Sequence, residues 1–355
     1  VMPVRGLFDA LNFYGFSALV RMLPEVTAEN LDDYQTCDSH TPPAPGIVLV
    51  LGAGNVSSIP IIDALTKMFH EGQVVLLKMN PVNAYLGPIF ERALSPLIAE
   101  GYLRIIDGGG DVGAAAIAQE QVRSIHITGS IDTHDAIVWG PTSAERDRRK
   151  RENRPLLAKP ITSELGNVSP WIVVPGQYTR RQLRFQAENI AASITSNASF
   201  NCVATKLIVT SRNWPDRERF LDFVQEILNR TPQRQAYYPG AAERFRRFAT
   251  DNALGTASET SQSSSIATTL PWTLRRDINP RKSPHLLREE SFVCVCAETS
   301  LDAATPLEFL REAVDFVNNE VWGTLCVALT IPSGFHRVTE CKPVSYTHLR
   351  AHETT

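Results

Sequence analysis

The chain has 355 residues, of which 43% are hydrophobic and 21% are charged, and its formal net charge is -3. This size and composition are typical of one large or two ordinary globular domains. Because it contains no face-long run of Lys or Arg and no apolar stretch of about 18 residues, the sequence excludes nucleic acid and anionic membranes as main partners and predicts no membrane span.

The first half of the chain alternates short apolar strands with helices. Residues 1–25 predict a helix with a strand, and the Pro-rich stretch 38–45 predicts a loop. The β-branched run Ile47–Leu51 then leads through a glycine turn into helical spacing over 59–71. Such alternation implies a parallel sheet that is covered on both faces. Further strands are predicted at 74–77, 103–106 and 124–128, and helices at 84–100 and 112–121.

A charged, Pro-containing linker over 141–160 precedes a second region of the same α/β type. Its basic cluster, 146–154, alternates with acidic residues and is interpreted as a solvated loop. Residues 257–268 are rich in Ser and Thr and predict a surface loop. Strands are predicted at 171–174, 206–210, 292–297 and 324–331, and helices at 180–196, 216–230 and 306–320.

Both ends of the sequence are unusual. The chain starts with Val1 rather than Met, so we expect the true N-terminus to be missing. Residues 345–355 are polar and show no hydrophobic periodicity, and their amino-acid sequence resembles a translated sequencing adapter. We interpret them as a non-native tail and exclude them from the fold.

The cysteines and histidines indicate neither disulfides nor a metal site. The six cysteines include no CxxC pair, and a chain of this length needs no disulfide staples, so we expect a reducing, cytoplasmic compartment. Cys294 and Cys296 lie two apart in an apolar run and are expected in the core. None of the eight histidines has metal-ligand spacing, so no metal is predicted.

Two glycine turns fit a phosphate-binding role. Gly52 to Ser57 lies between a strand and a helix, and Gly108 to Gly113 matches GxGxxG and also opens a helix. Glycine in such a turn allows a pyrophosphate to approach the backbone at a helix N-terminus. Glycines are equally typical of any turn between a parallel strand and a helix, and the two turns cannot both be the phosphate loop.

Three side chains could carry chemistry. Cys202 follows a polar turn, a position typical of a reactive thiol, although a half-buried cysteine without a role is locally the commoner case. Glu164 lies at the end of one element and before a strand, and the alternative interpretation is an ordinary surface carboxylate without a role. Lys78 ends a strand at the carboxyl edge of a parallel sheet, the edge at which ligands bind. The alternative interpretation is an exposed lysine without a role.

Together these segments resemble the aldehyde dehydrogenase superfamily, in the family's order, from about residue 46 to residue 330. Coincidence of order and spacing is more specific than any single motif. The matching segments are Gly46 to Asn55, Val74 to Lys78, Ile127 to Ser130 (FTGS in the family), Ser163 to Pro170 (ELGGKSP), Asn197 to Cys202 (NxGQxC) and Glu290 to Phe292 (ExF).

The resemblance implies two Rossmann-like parallel-sheet domains. Residues 1–162 would form an N-terminally incomplete dinucleotide-binding domain, and residues 163–340 a C-terminally incomplete catalytic domain. It implies Cys202 as nucleophile, Asn55 as oxyanion-hole donor and Glu164 as general base. It implies NAD or NADP as cofactor. The residues expected to bind this cofactor are Lys78, Gly113, Gly129, Ser130, Glu290 and Phe292.

The implied reaction is oxidation of a small-molecule aldehyde to a carboxylic acid through a cysteine thiohemiacetal and a thioester. The full-length protein is expected to be a homo-oligomer, and the present piece to have little or no activity. Two alternatives stay open: an acyl-CoA or fatty-acyl reductase of the same superfamily, and a non-catalytic member that binds a nucleotide.

Departures from the family pattern keep these alternatives open. Ser199 and Phe200 replace the Gly-Gln before the nucleophile, and the turn that ends at Asn55 is similar to acyl-CoA reductase relatives. Retention of Glu164 favours hydrolytic oxidation. No carboxylate follows Lys78 directly, so a 2′-phosphate is not repelled there and NADP remains open.

Overall fold

The computed structural model describes residues 46–250 and 269–333, together with residues 8, 11, 26, 27, 29, 30 and 335. The helix and strand expected within 1–25, the loops at 38–45 and 257–268, and the tail at 345–355 fall outside the continuously described ranges. Within the described residues, no helix has both the length and the apolar character needed to cross a membrane.

The first sheet contains five parallel strands in the order β3-β2-β1-β4-β5. Its centre, β1, is an apolar run whose middle residues Val48, Leu49 and Val50 are almost completely buried. The strands are β1 (Ile47–Leu51), β2 (Val74–Lys78), β3 (Leu103–Ile106), β4 (Val122–Gly129) and β5 (Ile161–Leu165). The helices are α1 (Ile59–Phe69), α2 (Gly87–Ala93), α3 (Ser95–Ala99), α4 (Gly110–Ala118), α5 (Ile131–Val138) and α6 (Ser143–Glu152).

The second sheet is also five-stranded and parallel, in the order β10-β6-β7-β9-β8. Two parallel sheets confirm the predicted α/β class with two Rossmann-like domains. The strands are β6 (Pro170–Val173), β7 (Leu207–Ser211), β8 (Thr273–Arg275), β9 (Val295–Leu301) and β10 (Ala328–Thr330). The helices are α7 (Arg180–Thr195), α8 (Arg217–Arg230), α9 (Ala241–Ala249), α10 (His285–Arg288) and α11 (Pro306–Glu320).

The change from one sheet to the other occurs within a short stretch of the chain. The predicted division between residues 162 and 163 falls inside β5, which pairs with β4 along its whole length. The first sheet therefore ends at Leu165, and the second begins at Pro170. This short connection brings the end of β5 next to the start of the second sheet.

Two predicted segments differ from the structure. The helix expected over 84–100 is divided at Leu94, whose backbone is not helical, because Pro96 lacks the N–H that a continuous helix would use. The basic cluster predicted to be a loop lies largely in α6, which Thr142 caps by accepting a hydrogen bond from the backbone N–H of Glu145. Pairs such as Arg149 with Glu145, at 2.9 Å, join successive turns and stabilise this exposed helix.

Candidate active site

A cavity of about 960 Å³ lies at the carboxyl ends of the strands of the first sheet and reaches residues of the second. This is the edge at which ligands bind in open parallel α/β sheets. Every residue predicted for the site lines this one cavity, including residues from opposite ends of the sequence. They are Asn55, Lys78, Gly113, Gly129, Ser130, Glu164, Cys202, Glu290 and Phe292.

Lys78 ends β2 and is buried rather than exposed, with 7% of its surface accessible. Burial lowers the pKa of its ammonium group, and the nearby carboxylates of Asp111 and Asp107 act in the opposite direction. These acids follow β3, whose Ile106 pairs with Lys78 in the sheet. Two carboxylates that follow β3 therefore act on the Lys78 ammonium group.

Both glycine turns contribute to the cavity wall. In the GxGxxG turn, Gly108 has a φ of +136°, and a Cβ there would lie 2.4 Å from a methyl group of Val112, so only glycine fits. A Cβ on Gly113 would meet only Leu51, at 3.9 Å, so this position is open to the cavity. In the other turn, a Cβ on Gly54 would lie 2.6 Å from the side chain of Asn80.

Gly129 and Ser130 form the junction between β4 and α5. Gly129 is the last residue of the strand, and Ser130 caps the helix by accepting a hydrogen bond of 3.2 Å from the backbone N–H of Thr133. The junction therefore directs the N-terminus of α5 to the cavity. A helix N-terminus with free N–H groups is suited to an anionic ligand.

Cys202 follows a left-handed turn at the end of α7. Asn197, Ala198 and Ser199 have φ values of 50°, 55° and 67°, a conformation that costs free energy in residues other than glycine. Lys206, only 3% exposed, donates from Nζ to the backbone oxygen of Ser199 at 2.7 Å and to its hydroxyl at 2.6 Å. This buried ammonium group stabilises the turn that presents the thiol.

Asn55 reaches the loop of Cys202 from the other sheet. It lies in the turn after β1, and its side-chain Nδ2 donates to the backbone oxygen of Phe200 at 3.2 Å. An amide carries two N–H bonds, so one remains to donate to another acceptor. Asn55 and Phe200 are 145 positions apart in the sequence, and the fold brings them into contact.

The two carboxylates that were assigned to the site from the sequence differ strongly in environment. Glu164 is exposed near the end of β5. Glu290 is largely buried, its Oε1 has no hydrogen-bond partner among the described residues, and its Oε2 would lie 1.9 Å from a Cβ on Gly166. Burial raises the pKa of Glu290 to about 7, and the charge of Lys206 acts in the opposite direction.

The Cys202 thiol is not activated by these surroundings. Burial is the main cause that raises its pKa to about 11, and the negative charge of Glu290 contributes more than that of Glu164. The thiol is therefore protonated at neutral pH in the unliganded chain. Glu290, assigned from the sequence to cofactor binding, also acts electrostatically on the nucleophile.

These shifts predict the pH dependence of Cys202 alkylation. Because only the thiolate reacts, the rate with iodoacetamide is expected to rise about tenfold per pH unit up to a pH near 11. Glu290→Gln removes a negative charge that is present above about pH 7, so the thiol pKa falls and alkylation becomes faster between about pH 7 and pH 11. Peptide-level mass spectrometry over a pH series measures both effects. A Glu290→Gln profile that coincides with that of the unchanged chain would refute the electrostatic coupling.

Several residues of the site were not identified from the sequence. Arg244 lines the cavity from α9, and its Nε is buried without a hydrogen-bond partner among the described residues. Lys206 lies directly before the buried strand β7 and looks like an ordinary flanking lysine. The adjacent pair Tyr237 and Tyr238 packs on the Phe200 ring, with centroids at 4.9 and 5.8 Å, respectively. Two adjacent tyrosines before a helix were the available sequence signal.

Cys294 and Cys296 are buried, as predicted, and no group of side chains among the described residues could hold a metal ion. His126, on β4, is half-buried and has Nδ1 at 2.9 Å from the hydroxyl of Thr162. Neither observation adds a further group to the cavity.

Comparison with known proteins identifies relatives for this arrangement. The model of the family described as "Aldehyde dehydrogenase family" matches residues 3–242. No curated protein sequence matches the chain significantly.

Solved structures show the same fold. Lactaldehyde dehydrogenase from Escherichia coli has a TM-score of 0.64 at 16% identity, over 85% of this chain and 61% of its own. NADP-dependent glyceraldehyde-3-phosphate dehydrogenase from Bacillus halodurans C-125, complexed with NADP, has a TM-score of 0.63 at 18% identity, over 87% and 60%. NAD-dependent aldehyde dehydrogenase from Sinorhizobium meliloti has a TM-score of 0.59 at 18% identity, over 84% and 57%. The chain therefore spans about three fifths of the length of these proteins.

Proposed function

Because the chain belongs to the aldehyde dehydrogenase family, we propose that it contains the catalytic centre of an NAD- or NADP-dependent enzyme that oxidises an aldehyde to a carboxylic acid. The observation that carries this proposal is the meeting of Cys202 and Asn55 at one cavity. They come from different sheets, and the Asn55 amide lies within hydrogen-bond distance of the loop that leads to the thiol. That is the arrangement expected of a nucleophile beside an oxyanion-hole donor.

The cavity fits a dinucleotide. Its volume of about 960 Å³ is at the upper end of the range of small-molecule sites. The unpartnered Oε1 of Glu290 and Nε of Arg244 are buried polar atoms that a polar ligand could satisfy. We assign Lys78, Gly113, Gly129 and Ser130 to the adenosine and phosphate portion, and Glu290 and Phe292 to the nicotinamide ribose. When bound, the nicotinamide ring supplies the hydride acceptor.

The other steps of the proposed reaction use groups of the protein itself. The Cys202 thiol would give its proton to solvent water, and the thiolate would attack the aldehyde carbonyl, giving a thiohemiacetal oxyanion. The free N–H of the Asn55 amide and the backbone N–H of Cys202 would stabilise this charge. Loss of hydride from the same carbon leaves a thioester on Cys202. Glu164 would then accept a proton from the water that cleaves the thioester.

The decisive assay mixes the chain with a panel of aldehydes and NAD or NADP, with and without coenzyme A, and follows formation of the reduced nicotinamide. Because the present piece is expected to have little activity, we expect slow reduction, of the order of one turnover, without coenzyme A, and a Glu164→Gln variant that accumulates thioester. Glu188→Gln, an exposed position on α7, is the matched control. Reduction that requires coenzyme A would favour the acyl-CoA reductase alternative. Dinucleotide binding with no thioester under either condition would favour the non-catalytic member.

A further inference from the structure

A hydrogen-bond network outside the cavity holds the backbone of Asn55. The backbone oxygen of Asn55 accepts from Nδ2 of Asn197 at 2.7 Å and from the Tyr237 hydroxyl at 3.1 Å. The same Asn197 Nδ2 also lies 3.0 Å from the backbone oxygen of Phe200 and 2.9 Å from the Tyr237 hydroxyl, and its two N–H bonds are shared among these three acceptors. Asn55 is thus held at its side chain by Phe200 and at its main chain by Asn197 and Tyr237.

The network joins three separate parts of the chain. Asn55 belongs to the first sheet, Asn197 and Phe200 precede Cys202 in the second, and Tyr237 comes from the segment between α8 and α9. The turn at Asn197 is left-handed, which asparagine tolerates better than most residues. This backbone conformation allows one amide to reach both Asn55 and Phe200.

Tyr237 has the chemistry that the network requires. Burial is the first cause that raises the pKa of its hydroxyl, so the group keeps its proton at neutral pH and can donate to Asn55. Its ring packs edge-on against Phe200, with the ring centroids 4.9 Å apart. Among the described residues, Tyr238 lines the cavity and Tyr237 does not, so Tyr237 can influence the reacting atoms only through its neighbours.

We infer that Tyr237 and Asn197 are positioning residues, which hold the oxyanion-hole donor Asn55 at a fixed distance from the Cys202 loop. The inference rests on the proposed function, because it requires that Asn55 stabilise an oxyanion. Phe200 belongs to the same arrangement: it stands two residues before the nucleophile, where the family pattern has Gln, and it supplies the surface on which Tyr237 packs. The departure from the family pattern is therefore compensated by a tyrosine from a distant segment.

The test compares two reactions of the same thiol in the full chain, without cofactor and at mildly alkaline pH. Acylation of Cys202 by p-nitrophenyl acetate passes through a tetrahedral oxyanion, whereas alkylation by iodoacetamide does not. The ratio of the two rate constants therefore measures oxyanion stabilisation independently of thiol reactivity. Cys202→Ser gives the background from other groups, and Tyr102→Phe, a loop tyrosine that is 51% exposed, is the matched control.

Tyr237→Phe is expected to lower the acylation rate about 3- to 10-fold, the effect of one hydrogen bond, and to leave alkylation and the unfolding temperature unchanged. Asn197→Asp keeps a residue that tolerates the left-handed turn but removes the amide donor, and is expected to lower the ratio at least as much. In an Asn55→Ala background, Tyr237→Phe is expected to cause no further loss, because it acts through the missing amide.

An unchanged ratio in Tyr237→Phe would overturn the inference, and so would an equal loss with and without the Asn55 amide. Equal slowing of acylation and alkylation would indicate general structural damage and would also overturn it. If Cys202→Ser acylates as fast as the unchanged chain, the proposed function fails and the inference falls with it. If acylation depends on Cys202 but is unchanged in Tyr237→Phe, the inference is overturned and the proposed function is not.

Discussion

Replacement of Asn55 by alanine is expected to slow acylation of Cys202 by about 100- to 1000-fold, the usual effect of removing one oxyanion-hole donor. The side-chain amide donates one N–H to the backbone oxygen of Phe200 at 3.2 Å, and this bond directs the amide towards the Cys202 loop. The second N–H is then available to the oxyanion. Alanine retains the backbone oxygen that Asn197 and Tyr237 hold, so the turn should keep its shape.

The measurement is the p-nitrophenyl acetate rate, with iodoacetamide alkylation as the internal reference. Asn229→Ala, an exposed asparagine near the end of α8, is the matched control and should match the unchanged chain in both reactions. Acylation by Asn55→Ala at the unchanged rate would mean that this amide does not stabilise the oxyanion. The backbone N–H of Cys202 alone would then have to do so.

Replacement of Glu298 by alanine is expected to lower the free energy of unfolding by about 3–5 kcal/mol, because it leaves a buried guanidinium group without its fully buried partner. Glu298, on β9, is completely buried, and its Oε2 lies 2.7 Å from Nη2 of Arg217 on α8. It also accepts from the hydroxyl of Thr210 at 2.5 Å and from the backbone N–H of Asp277 at 3.0 Å. The carboxylate thus connects β7, β9 and α8 at the centre of the second sheet.

Urea denaturation followed by circular dichroism measures this loss. The matched control is Asp302→Ala, which removes a carboxylate 3.2 Å from Nε of Arg212 in a pair whose two side chains are 60% and 69% exposed. Exposed pairs of this kind contribute about 0–1 kcal/mol. A Glu298→Ala effect no larger than that of the control would mean that water or the remaining acidic neighbours compensate Arg217.

The strands were largely predictable because a parallel strand is short, apolar and buried on both faces. Ile47–Leu51 and Leu103–Ile106 were predicted with the bounds that the structure has. Helices without an apolar face were not predictable in the same way. In α6 the stabilisation comes from a threonine cap and from charge pairs between successive turns, which hydrophobic periodicity does not detect.

The order of the motifs was sufficient to name residues that line one cavity. The motifs of the first sheet lie at its carboxyl edge, and Asn197 to Cys202 and Glu290 to Phe292 lie in the segments before β7 and β9 of the second sheet. The environments of those residues could not be derived in this way. Burial of Glu290 depends on Gly166, and the raised pKa of Cys202 depends on Glu290, and these residues are far apart in sequence. The contact of Tyr237 with Asn55 spans 182 positions, and only the tertiary structure reveals it.

The proposed function requires that the sulfur of Cys202 form the covalent bond with the substrate. Peptide-level mass spectrometry of the chain after incubation with an aldehyde and NAD or NADP tests it most directly. The expected result is an acyl group on the peptide that contains Cys202, formed only when the dinucleotide is present and increased by Glu164→Gln. An acyl group on Cys326 or another cysteine, with Cys202 unmodified, would contradict it.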